Sequence, residues 1–281
     1  MHTTSDHIAF ERTGSGPPMI LVHGCPATHT LWRPLLPALA RHRTLYAIDL
    51  PGFGASPAPA DPTELAPARL ARAILAFARR QGLERFDLVG HSFGGAIAAE
   101  AATEAPERVA SLVMVAPMGT IAPPAARLAR SWAVRSLVAP AWRLVPRPLR
   151  RTIVRIGSRA NYGPAYVPER GREIARELDR PDALRAICRL VGAFDYDEYR
   201  ARLERLQRER TVPTLLIGAC RDRVVPFEHF VALRRIVARA EHEELADGVH
   251  VVMWQHPEPI AERIIGFIEH AAMPDERAVA R

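Results

Sequence analysis

Phe86-Asp-Leu-Val-Gly90-His-Ser-Phe-Gly-Gly95-Ala-Ile-Ala-Ala-Glu100 is the stretch on which the fold turns. A short apolar run leads into Gly90-His91-Ser92-Phe93-Gly94, and an alanine-rich segment follows. The run has the length of a buried strand, and the alanines that follow favour a helix. A serine between the two sits on a tight strand-to-helix turn, where the backbone is strained and the residues two places away must be small. Gly90 and Gly94 supply that room. The helix aims its first N–H groups at the serine, which favours negative charge developing there. Strand, motif and helix together predict a serine nucleophile at Ser92.

Further strands are expected at Met19–Val22, Thr44–Ile48, Leu112–Val115, Thr214–Ile217 and Glu243–Leu245, with an antiparallel edge strand near Ile8–Phe10. Helical spacing marks Glu64–Gln81, Phe93–Glu104, Phe227–Ala238 and Pro259–His270. Alternating strands and helices predict an α/β fold: a mostly parallel central sheet with helices on both faces. Between Met118 and Arg210 the rhythm breaks. Prolines at 123, 124, 140, 146, 148, 164, 168 and 181 cut this stretch into short helices. Residues 1–118 and 211–281 therefore read as the core. Residues 119–210 read as a helical lid over the C-terminal edge of the sheet, inserted before the strand at Thr214–Ile217, with a loosely packed surface extension as the alternative.

All 38 basic side chains are arginine, which excludes chemistry that needs a lysine amine, such as a Schiff base or a Walker phosphate loop. No CxxC or HExxH spacing occurs, so neither a metal nor a cofactor is expected. Cys25, Cys188 and Cys220 are odd in number and far apart, which fits a reducing, cytoplasmic setting. No stretch reads as a signal peptide or an integral membrane segment. The net charge of +7 is uneven, with 20 arginines against 10 acids in residues 119–210. Elsewhere 18 arginines face 21 acids, so the core is mildly acidic.

Four segments make the chain resemble the α/β-hydrolase superfamily, in its lid-containing, serine esterase-like branch. They are His23-Gly24-Cys25-Pro26, Asp49-Leu-Pro-Gly-Phe-Gly-Ala-Ser56, Gly90–Gly95, and Asp222-Arg-Val-Val-Pro226 with the later Gly248-Val-His250. The resemblance implies the chain order serine, acid, histidine, which here gives Ser92, Asp222 and His250. The residues support the same choice. A serine hydroxyl needs a base, and His250 sits on a short loop after a late strand, at the sheet edge where open α/β folds bind ligands. His23 and His91 lie inside motifs, on turns adjoining the site, and read as structural or pocket-lining. His2, His7, His29, His42 and His242 lie in polar stretches and read as solvated. Asp222 follows a strand, whereas Asp247 reads as ordinary turn chemistry. Three residues separate Gly218 from Asp222, where similar sequences have two. The backbone N–H groups of Cys25 and Phe93 are the natural oxyanion donors.

The expected reaction is hydrolysis of a carboxylic ester or thioester of a small hydrophobic substrate through an acyl-serine. Acyl transfer, C–C bond hydrolysis or lysis and perhydrolysis use the same triad, and a non-catalytic ligand receptor is the alternative from another class. A serine at position 92 argues against dehalogenases and epoxide hydrolases, which attack with a carboxylate. Arg143, Arg147, Arg151, Arg155 and Arg159 recur every four residues, interrupted by Pro146 and Pro148. They are either a solvated face or a surface for an anionic carrier, a CoA-linked substrate or, with Trp132 and Trp142 nearby, an anionic membrane. No nucleic-acid-binding motif accompanies them.

Overall fold

In a computed structural model, seven strands form one sheet in the order β1-β3-β2-β4-β5-β6-β7. The structure describes residues 7–122, 131, 137, 140–163, 166–180, 183–209 and 211–272. Strand β1 (Phe10–Thr13) runs antiparallel to β3 (Thr44–Ile48), and β2 (Pro18–Val22), β4 (Phe86–His91), β5 (Val109–Val115), β6 (Thr214–Ala219) and β7 (Glu241–Leu245) are parallel to their neighbours. The fold is that of an α/β hydrolase. Met19 and Leu21 face one apolar cluster while Ile20 and Val22 face the other, so both sides of the sheet are buried. That double burial explains why these strands read as continuous apolar runs. Edge strand β7 differs: Glu241, Glu243 and Glu244 pair with Arg263 and Arg234, and charge of this kind blunts an edge against further pairing.

Helices α2 (Pro67–Arg80) and α3 (Phe93–Glu104) pack on one face; the single turn α1 (Leu36–Leu39) and the C-terminal α10 (Pro257–Ala272) cover the other. The expected helix from Glu64 is two pieces, a 3-10 turn at Pro62–Leu65 and then α2. Pro67 is the cause: it holds Ala66 extended at ψ 142° and then serves as the first helical residue. The edge strand also begins two residues later than Ile8.

Between β5 and β6 the described residues form helices α4 (Arg147–Tyr162), α5 (Pro168–Asp179), α6 (Ala183–Ala193) and α7 (Tyr196–Glu209). As the prolines predicted, Arg143 lies on a separate helical turn, while Arg147, Arg151, Arg155 and Arg159 share α4. Trp142 donates from its indole N–H to the Leu178 carbonyl at 3.2 Å, which ties that turn to α5. Pro123, Pro124, Pro164, Pro181, Trp132 and His2 lie outside the described residues. After β6 come α8 (Phe227–Ile236) and, beyond β7, the short α9 (Val252–Gln255). Among the described residues no helix is long and apolar enough to cross a membrane.

Helix α7 docks on α3 through Arg202 and the buried Glu100, with Nε 2.7 Å from the carboxylate. Burial outweighs the arginine's attraction and pushes the Glu100 carboxyl up to about 7 from 4.5. The folded chain thus keeps a proton that the unfolded chain has already lost. This contribution to stability is complete below the unfolded value and is lost as pH rises through the folded one. Urea unfolding at about pH 5 and about pH 8 should show a fall in stability that Glu100→Gln reduces by about 1–3 kcal/mol. Equal falls in both proteins would contradict the assignment.

Candidate active site

Ser92 leaves β4 with φ 53° and ψ −119°, a left-handed conformation that a side chain disfavours. Its N–H donates to Val115 O at 2.9 Å, and its carbonyl accepts from Gly95 N at 3.0 Å and Met118 N at 3.1 Å. The two motif glycines act as the sequence implied. A Cβ on Gly90 would lie 2.4 Å from Gly94 O, and one on Gly94 would lie 2.3 Å from His23 O. The strained serine and the N-terminus of α3 are therefore clamped between β4, β5 and the His23–Pro26 loop.

His250 lies in the loop after β7, and its Nδ1 stands 2.6 Å from Asp222 Oδ2. The other carboxylate oxygen accepts from Val224 N at 2.7 Å and Val225 N at 2.9 Å, which fixes the orientation of the group. The unusual Gly218–Asp222 spacing is absorbed because β6 runs on to Ala219. The chain then turns with Asp222 N bonded to Ala219 O, while Arg221 N bonds Gly248 O. Asp247 instead faces His256, 3.1 Å from its Nε2, and holds Gln255. Ser92 and His250 are 4% and 5% exposed, so both lie in a largely dry place.

His91 links the two. Its ring centroid is 4.7 Å from that of His250, and its Nε2 donates to the His250 carbonyl at 2.8 Å. Since a carbonyl only accepts, Nε2 carries the proton. Burial, reinforced by the charge of His250, holds His91 well below the ordinary imidazole range, so it stays neutral. His23 is fixed likewise: Nδ1 donates to Gly24 O at 2.7 Å, Nε2 accepts from Leu50 N at 3.0 Å, and burial lowers its pKa. Both rings are thus held by backbone partners.

Among the described residues neither the Cys25 nor the Phe93 N–H is taken up by a partner. Burial, then the charge of Glu177, pushes the Cys25 thiol far up, so it stays protonated and serves in packing. Cys25 and Met118 pack against the apolar cluster that includes Phe93, and the Phe93 ring meets Phe194 at 5.1 Å.

Two features escaped the sequence. His29 is not solvated: its Nδ1 lies 2.9 Å from Asp49 Oδ1, and its N–H donates to the same oxygen at 2.7 Å. Burial opposes the charge on Asp49, but His29 and the N–H groups of His29 and Ala55 win and lower its pKa. The spacing of His29 and Asp49 carried no signal, because they stand 20 positions apart with a strand between them. The second feature is a polar seam from α5 to the loops after β2 and β3. Glu173 accepts from Thr30 and Arg33 at 3.1 Å each, Gly54 N lies 3.3 Å from Glu177, and Arg180 donates to Gly52 O at 3.3 Å. Arg170, only 2% exposed, donates to Thr30 and Glu173 and lies over the Trp254 ring, 5.3 Å from its centroid. The helical stretch thus meets the core beside Ser92's neighbouring loops.

With this geometry in view, the similarity to known proteins is informative. The "Putative carbamate hydrolase RutD" of Variovorax paradoxus is 32% identical over 79% of this chain and 80% of its own. A family model described as alpha/beta hydrolase fold matches residues 17–143. The chain belongs to the α/β-hydrolase fold family. This α/β hydrolase is also 38% identical over 39% of its length to a pimeloyl-[acyl-carrier protein] methyl ester esterase from Aeromonas hydrophila, and spans 41% of that protein. It spans between 23% and 65% of three other curated relatives. A thermophilic esterase from Thermogutta terrifontis, solved with malate bound, superposes with TM-score 0.76 at 24% identity, covering 95% of this chain and 94% of that one.

Gly24 tests how tightly the elbow is held. A Cβ there would lie 2.9 Å from both His91 Nδ1 and Ser92 Cβ. In Gly24→Ala, kcat on an ester substrate should fall at least about tenfold, because a small displacement of a reacting group is costly. The melting temperature should fall by only a few degrees. Unchanged kcat would mean that Ser92 is not the group being positioned.

Proposed function

We propose that this α/β hydrolase cleaves carboxylic esters or thioesters of small hydrophobic acids through an acyl-enzyme on Ser92. The carrying observation is the 2.6 Å bond between Asp222 and His250 Nδ1, in a buried site where His91 joins His250 to the strained Ser92 turn. The Asp222 carboxylate keeps the proton on Nδ1, which leaves Nε2 as the base. Nε2 takes the Ser92 proton as Oγ attacks the carbonyl carbon, and the negative charge moves onto the carbonyl oxygen. The free N–H groups of Cys25 and Phe93 are the donors for that oxygen, aided by the N-terminus of α3. His250 then returns the proton to the departing alkoxide or thiolate. Water, deprotonated by the same base, releases the acid and restores Ser92.

The apolar surroundings of Phe93, Met118 and Phe194 favour a hydrophobic acyl group. The seam from α5 to the Thr30 and Gly54 loops supports the reading of residues 119–210 as a lid, and its arginines make a CoA-linked or carrier-linked thioester the natural charged substrate. Three free cysteines support a cytoplasmic setting.

A fluorophosphonate should label Ser92 stoichiometrically, and Ser92→Ala should lose both labelling and turnover, by roughly 10⁴-fold or more in kcat. Full activity in Ser92→Ala would end the acyl-enzyme proposal. Asp222→Asn should keep the fold and lose about 10³–10⁴-fold, since the imidazole then rests in the wrong tautomer.

A further inference from the structure

A cavity of about 450 Å³ lies between α4 and α5 and borders the seam at Arg176. Arg151 and Arg155 face it from α4, and Arg172 and Arg176 from α5; among the described residues no acidic side chain lines it. Each pair is spaced i, i+4, so each helix places like charges one turn apart, an arrangement that destabilises a helix by itself. Two neighbouring acids, Glu173 and Asp179, are already taken. Glu173 is held by Thr30, Arg33 and Arg170; Asp179 is 3.1 Å from Arg150 and only 4.0 Å from Arg151. Among the described residues, Arg155, Arg172 and Arg176 have no carboxylate within ion-pair distance. On helix α5, Arg170, Glu173 and Glu177 dock on the core, Arg172 lines the cavity, and Arg176 lines both the cavity and the groove along the seam.

The remaining walls suit a ligand. Thr152 and Tyr166 bring hydroxyls, and Pro168, Gly171 and Ala175 give an apolar floor. Gly171 matters because a Cβ there would lie 2.8 Å from the Tyr166 hydroxyl, so only glycine lets that ring lie against α5. Such a volume is that of a small-molecule site, not of a flat protein-docking surface. Guanidinium groups meet phosphate oxygens two at a time, and four of them match two adjacent phosphates.

We propose that this cavity binds the diphosphate group of a small phosphorylated ligand. A diphosphate ligand is compatible with the CoA-linked substrate of the proposed function, but binding here does not require Ser92, and because the test is binding the two readings fail separately. Titration calorimetry of the full chain with inorganic pyrophosphate, at about 100 mM salt, should show one saturable site. The double variant Arg155→Gln/Arg172→Gln should weaken binding at least about tenfold, whereas the charge-matched control Arg79→Gln/Arg208→Gln should stay within about twofold. Pyrophosphate should raise the melting temperature of the wild type and of the control, but not of the cavity variant. Cosedimentation with phosphatidic acid vesicles, with and without pyrophosphate, distinguishes a lipid headgroup from a soluble ligand; competition between them places both in the cavity. Absence of saturable binding, equal weakening by the control pair, or tighter binding of citrate than of pyrophosphate would overturn the proposal.

Discussion

Everything at the candidate site depends on keeping one residue, Ser92, at φ 53°. Such a conformation costs about 1–3 kcal/mol, so the surroundings must hold it there. They do so through the hydrogen bonds to Val115, Gly95 and Met118, and through backbone packed so closely that Gly24, Gly90 and Gly94 leave no space for a side chain. The segment after β5 shares the load: Ala116 also has a positive φ, 41°, with its N–H bonded to Ile217 O at 2.7 Å. Strands β4, β5 and β6 are thereby locked together at the end where the serine, acid and histidine loops emerge.

The histidines divide by the same logic of burial and partners. His23 and His91 each have a ring nitrogen committed to a backbone carbonyl, and burial keeps them neutral, so they act as spacers around the elbow. His29 serves the Asp49 turn. His250 differs because its Nδ1 meets a carboxylate that backbone N–H groups have already oriented. Such a partner stabilises the positive charge an imidazole acquires when it takes a proton.

Charge is segregated by function of place. The core carries slightly more acid than base, and the excess of arginine belongs to residues 119–210. Within that stretch some arginines are structural: Arg170 and Arg180 bind the loops after β2 and β3, and Arg202 holds Glu100. Others, on the adjoining faces of α4 and α5, are left without carboxylate partners. The regular stripe in the sequence therefore covers two kinds of residue, and only their tertiary partners tell them apart.

The elbow, the order of the motifs along the chain and the tight strand-to-helix turn at Ser92 were legible in the sequence, because each rests on local rules: short apolar runs, glycines where a side chain cannot fit, and a helix directly after the turn. The proline pattern likewise foretold the break in α4 before Arg147. The family's serine–acid–histidine order singled out Asp222 and His250, although the extra residue after Gly218 needed β6 to run on to Ala219 before the loop geometry made sense. What the chain alone could not determine was long-range. His29 reads as a solvated histidine until Asp49 arrives beside it from the next strand, and the face of α5 that grips Thr30 and Gly54 joins residues more than a hundred positions apart. Local propensity specifies where the chain turns; which charges meet after it has turned is decided by packing.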